Sequence, residues 1–87
     1  MRNVLDPADV AAARPLSVIA AEIDADWRRP YFGAIPYLQA MRRLDRITDT
    51  YGLDDADGIV RYFLVNARGW RGETARRVKA ELRALTP

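Results

Sequence analysis

Apolar positions in this chain recur at the helical period, and Pro, Gly and Asp punctuate the recurring stretches. The densest block is residues 58–70, where Ile59, Val60, Phe63, Leu64 and Ala67 fall at i, i+1, i+4, i+5 and i+8 and make one wide stripe. The pattern predicts a central helix over about 54–67. Asp54, Asp55 and Asp57 would supply its N-cap and the negative charge that a helix dipole favours in the first turn. Gly58 in that turn costs up to ~1 kcal/mol against alanine, which points to close approach of another helix.

The same period predicts three further main helices. Ile19, Ile23 and Trp27 repeat every four residues after Ser17, an expected N-cap with Leu16 as its staple, so a helix is predicted over 17–29 and must stop before Pro30. Pro36 opens a helix over 36–50, with Tyr37, Leu38, Met41, Leu44, Ile47, Thr48 and Tyr51 inward and Gly52 as a left-handed C-terminal residue. The last helix is predicted over 73–85, with Ala75, Val78, Leu82 and Leu85 inward. A short helix over 7–14 follows Asp6-Pro7 and stops before Pro15, and residues 1–5 carry no periodic signal and are expected to fray.

No internal repeat and no useful strand alternation interrupts this pattern. The expected fold is therefore all-α: one domain over 1–87, a compact bundle of four main helices with a short N-terminal helix. Its predicted core is Ile19, Ile23, Trp27, Leu38, Met41, Leu44, Ile59, Phe63, Leu64, Val78 and Leu82. Trp27, Tyr31, Phe32 and Tyr37 are expected to form an aromatic corner of that core around the turn between Pro30 and Pro36.

Composition narrows the chemistry. Eighty-seven residues with 49% apolar and 30% charged side chains suit a globular domain. With no cysteine and no histidine, thiolate chemistry, disulfides and histidine-based triads lack their parts, and the single serine is the expected cap Ser17. The carboxylates read as caps and solvated faces. The protein is therefore expected to be non-enzymatic, with no cofactor and no metal. A calcium-loop alignment on Gly58 places Asp55 and Asp57 well but leaves Leu53 and Leu64 at the two decisive ligand positions. A helix-turn-helix reading around Gly52 puts three carboxylates where DNA phosphates would sit. The opening residues lack a signal-peptide core, and the longest apolar run is interrupted by Arg61, so a cytoplasmic protein without a membrane segment is expected.

Charge is distributed unevenly. Residues 1–60 carry seven basic and ten acidic side chains, whereas residues 61–87 carry seven basic and two acidic ones. Two surfaces follow. Arg68, Trp70 and Arg71 place an indole between guanidinium groups, a composition common at binding hot spots, and form the expected partner-binding set. The other role open to that indole is to fold back and close the end of the bundle. Arg76, Arg77, Lys79 and Arg83 form the alternative surface, for nucleic acid, with Trp70 available for stacking on a base.

Three segments carry a resemblance: residues 30–41 (PYFGAIPYLQAM), 59–67 (IVRYFLVNA) and 70–77 (WRGETARR). Across roughly residues 16–85 the chain resembles small uncharacterised phage and prophage proteins of actinobacteria. That resemblance brings no assigned activity and no functional residue. It implies a phage-encoded protein acting in the bacterial host cytoplasm by binding a host or phage component. The expected function is a non-enzymatic protein-interaction module, with self-association among its possible forms; nucleic-acid binding is the alternative.

Overall fold

The structure is a computed structural model and describes residues 13–86. The first helix, α1 (Leu16–Asp26), begins one residue before the expected cap, after Pro15. Ser17 makes no capping hydrogen bond. The open amides of the first turn find acceptors elsewhere: Leu16 N–H donates to the Asp45 carbonyl at 2.9 Å and Ser17 N–H to the Leu44 carbonyl at 2.8 Å. A loop distant in sequence has replaced the local cap. The helix also ends earlier than expected, at Asp26 rather than 29.

A 3-10 turn (Phe32–Ala34) leads into α2 (Ile35–Met41), which is half the length predicted from Pro36 onward. Thr48 and Tyr51, expected inward on it, are exposed, and past the end of the helix Asp49 shapes the loop. Its carboxylate accepts from the Asp45 and Arg46 amides at 3.1 and 2.9 Å, a local turn that competes with helical pairing. Those amide hydrogen bonds, Arg46 first and then Asp45, hold the Asp49 carboxyl below its ordinary range.

The chain then enters a hairpin that the periodicity did not predict. Strands β1 (Thr50–Tyr51) and β2 (Asp54–Asp55) pair antiparallel, Thr50 opposite Asp55 and Tyr51 opposite Asp54. The connection is Gly52-Leu53, with Gly52 at φ 65°. A left-handed first loop residue suits the twist of a two-residue hairpin. Gly52 is left-handed, as expected, but it turns a hairpin instead of ending a helix. The expectation of an all-α chain is corrected to a mostly helical globule with a small two-stranded sheet.

Helix α3 (Ala56–Val65) starts after Asp55, which sits at the cap position without a side-chain hydrogen bond. It is shorter at both ends than the predicted 54–67, because Asp54 and Asp55 belong to the hairpin and Asn66 begins a turn. Asp57 in its first turn pairs with Arg61 at 3.0 Å. The last helix, α4 (Glu73–Leu85), has the predicted limits. Of the predicted helix over 7–14, residues 7–12 lie outside the described residues, and 13 and 14 are not helical.

All four helices contribute to one core. Its centre is Leu16, Ile19, Ile23, Met41, Val60, Phe63, Val78 and Leu82, with Ala20, Ala34, Ala56, Ala67 and Ala75 also buried. Leu16, expected as a staple, is fully buried, while Trp27 and Leu64 pack against the core half-buried. The aromatic corner divides: Trp27 and Tyr37 lie on the core, whereas Tyr31 and Phe32 stay exposed, ring against ring at 4.8 Å.

An ion-pair network fastens α1 to α4. The Arg14 guanidinium binds Glu81 at 2.6 Å and Glu22 at 2.8 Å, and Glu22 also takes Arg77. Hydrogen bonding by Arg77, then by Arg14, holds the Glu22 carboxyl below the usual glutamate range. A carboxyl depressed in the folded state stabilises the fold above its unfolded pKa, and that contribution is lost as pH falls through the folded value. The urea midpoint should therefore fall between neutral pH and about pH 3.5. In Glu22→Gln that acid-dependent loss should shrink by on the order of 1 kcal/mol, the scale of an exposed pair network. Identical acid profiles for the two proteins would contradict the network.

Candidate functional site

The residues expected to bind a partner part company in the structure. A turn closed by Trp70 N–H donating to the Ala67 carbonyl at 3.0 Å swings the indole inward, and Trp70 is 2% exposed. It stacks on Trp27 at 6.0 Å and 16°, meets Phe63 edge-on at 6.5 Å, and donates from Nε1 to the Asp26 carboxylate at 2.8 Å. Arg68 and Arg71 remain exposed on either side. The indole takes the second role open to it, closing the end of the globule, and is not a surface contact.

The basic set for nucleic acid also divides. Arg77 is engaged by Glu22. Lys79 is half-buried: its Nζ donates to the Trp70 carbonyl at 2.6 Å and lies 5.9 Å from the indole centroid. Burial, then the neighbouring Arg83 and Arg71 guanidiniums, lowers its pKa. Arg76 and Arg83 are exposed, and among the described residues neither forms a salt bridge.

A second surface was not singled out from the sequence. Between α2, α3 and the hairpin lies a cleft of about 500 Å³. Buried Ala40 and Ile59, with Gly58 beside them, form its floor, and Tyr51, Leu53, Asp54, Asp55 and Tyr62 form its exposed rim. The Leu53 side chain at the hairpin tip is 104% exposed, and Tyr62 on α3 is 60% exposed while stacking on Tyr37 at 5.6 Å. Three large apolar side chains on one rim are more than the scattered single exposures a surface normally carries.

Gly58 changes meaning here. It was expected to admit another helix, yet a Cβ at that position would meet nothing within 4 Å. Packing does not require the glycine, and what its missing side chain leaves is depth in the cleft. The one signal that pointed here was that helix-breaking residue in a first turn.

Among the described residues no polar side chain is buried without a hydrogen-bond partner, and no group of three metal-ligating side chains occurs. No helix of the described residues is long and apolar enough to cross a membrane. The chain matches no protein-family model, no curated protein and no solved structure.

Proposed function

We propose that the protein is a non-enzymatic interaction module, phage-encoded and acting in the bacterial cytoplasm, built on a helical-bundle scaffold. It takes an apolar segment of a host or phage protein into the cleft beside the hairpin. The observation that carries this reading is Leu53, wholly exposed at the hairpin tip above a cleft whose floor is left open by Gly58. An apolar side chain placed in water this way gains nothing from the fold, and burying it against a partner would gain about 2 kcal/mol. Asp54 and Asp55 on the rim favour a segment whose apolar anchors are flanked by Lys or Arg. The absence of His and Cys, and the helical position of the single serine, support a module without catalysis.

Peptide display on the immobilised protein tests the reading. The enriched consensus should hold two or more apolar positions with flanking basic residues. Leu53→Asp should weaken the selected peptides at least 30-fold, the loss of about 2 kcal/mol that marks a hot spot. Gly58→Leu should abolish binding by filling the floor, whereas Gly58→Ala should stabilise the fold by up to ~1 kcal/mol. Arg68→Ala and Arg71→Ala should leave peptide affinity unchanged. Enriched peptides indifferent to Leu53 and Gly58 would overturn the cleft. A dimer that Leu53→Asp converts to monomer would assign the face to a second copy instead.

A further inference from the structure

A second site lies on the α4 side of the molecule and shares no residue with the cleft. A groove of about 300 Å³ is lined by Arg71, Arg76, Lys79 and Arg83, with Gly72 at the start of α4. No carboxylate among the described residues lines it. Among the described residues Arg71, Arg76 and Arg83 form no salt bridge. Elsewhere Arg14, Arg42, Arg61 and Arg77 each hold a carboxylate, and what sets the groove apart from other cations without a salt bridge is that four cationic side chains line one concavity. Four cations converging with no carboxylate of the described residues among them repel one another, and burial first, then Arg83 and Arg71, disfavours the Lys79 ammonium form.

The spacing indicates what kind of anion fits. Arg76, Lys79 and Arg83 stand at i, i+3 and i+7, one face of a helix. From residue 76 to residue 83 the axis rises ~10 Å, about three times the ~3.4 Å axial spacing of phosphates along one strand. A lone phosphate would meet one end of such a row. A run of linked phosphates meets all of it.

We propose that this groove binds the phosphate backbone of a nucleic acid. The contacts are to phosphate alone, because the side chain that the sequence offered for stacking, Trp70, lies buried under the groove with its indole against Trp27. Binding is accordingly indifferent to base sequence. It also excludes Arg77, which shares the helix but is held by Glu22.

The test is fluorescence anisotropy of labelled oligonucleotides titrated with the full chain across a salt series. Four phosphate contacts predict a log–log salt slope of about −3, and oligonucleotides of different sequence should bind alike. Arg76→Gln and Arg83→Gln should each weaken binding several-fold and reduce the slope by roughly 0.7–0.9. Arg77→Gln should leave the slope unchanged. All three guanidiniums are exposed, so thermal melts should show each variant folded. No binding at about 50 mM salt, where a multi-phosphate contact is strong, would overturn the proposal. So would Arg77→Gln weakening binding as much as Arg76→Gln, since net charge alone would then explain it. Calorimetric binding of inorganic tripolyphosphate without oligonucleotide binding would also overturn it, assigning the groove to a free polyphosphate.

Discussion

Trp70→Ala is expected to lose about 3–5 kcal/mol of stability, the cost of truncating a fully buried large aromatic side chain. For a chain of this length, total stability on the order of 4–13 kcal/mol is typical, so the loss is a large fraction of the total. The indole is a junction. It stacks on Trp27, touches the edge of Phe63, and ties α1 to the α3–α4 turn through its hydrogen bond to Asp26. Its backbone carbonyl also receives Lys79, so the turn is clamped from α4 as well. Trp70→Phe keeps a ring in the site and should lose about half as much, chiefly by leaving Asp26 without its donor and by the smaller volume. Urea denaturation followed by far-UV circular dichroism reads both. A Trp70→Ala midpoint within the equivalent of about 1 kcal/mol of wild type, the loss typical of less critical substitutions, would return the indole to the surface and restore the Arg68–Arg71 loop as the partner-binding candidate.

Phe63→Ala should cost a similar 3–5 kcal/mol. Phe63 is fully buried in the last turn of α3, edge-on to Trp27 at 6.3 Å and to Trp70 at 6.5 Å. Its neighbour Tyr62 faces the other way, exposed and stacked on Tyr37 at the cleft rim. Tyr62→Ala should therefore cost roughly 1 kcal/mol or less while weakening any peptide selected on the cleft. Two adjacent aromatic residues on one helix thus separate stability from recognition. A cycle built from the milder changes Phe63→Leu and Trp70→Phe should show a coupling of about 0.5–1.5 kcal/mol, because their rings touch. Additive losses would mean that the cluster does not pack as one unit.

How far the chain could be read from its residues varied with the distance over which each feature is decided. Helix α4 has its predicted limits because its information is local: Glu73 after Gly72, inward Ala75, Val78 and Leu82, and basic residues near its end. Helix α2 was overextended because its apolar period runs on past the point where pairing changes. Leu44 is buried as predicted, but from a loop rather than from a helix. Its carbonyl is spent on the N-terminus of α1, and Asp49 supplies a turn that no periodicity encodes. The hairpin leaves no mark in the periodicity for a related reason. Two-residue strands are too short for alternation to register, and only the pairing of Thr50 with Asp55 and Tyr51 with Asp54 distinguishes them from loop.

The candidate sites divided along the same line. Composition and charge order placed an excess of cations in the last third of the chain, and the structure keeps four of them around one groove. Which four was a tertiary outcome. Arg77 is diverted because α1 brings Glu22 to it, and Arg71 is recruited because the Ala67–Trp70 turn delivers it to the start of α4. The cleft was almost wholly illegible, since its wall residues come from α2, the hairpin and α3, and only Gly58 hinted at it.

The residues by themselves determined the helical character, the inward stripes of the central and last helices, and the lack of thiol and imidazole chemistry. Those follow from period, caps and residue type, which act within a turn or two of the chain. Tertiary structure alone decided what satisfies the first amides of α1, where α2 stops, that Trp70 turns inward, and that Leu53 is left in water. Each of these depends on a partner distant in sequence: a carbonyl from the 44–45 loop, the indole of Trp27, or a hairpin held away from the core. The opening block of residues 58–70 carries both kinds of decision. Its stripe buries Ile59, Val60 and Phe63 as the period requires, while the fold turns Gly58 and Tyr62 toward an open cleft.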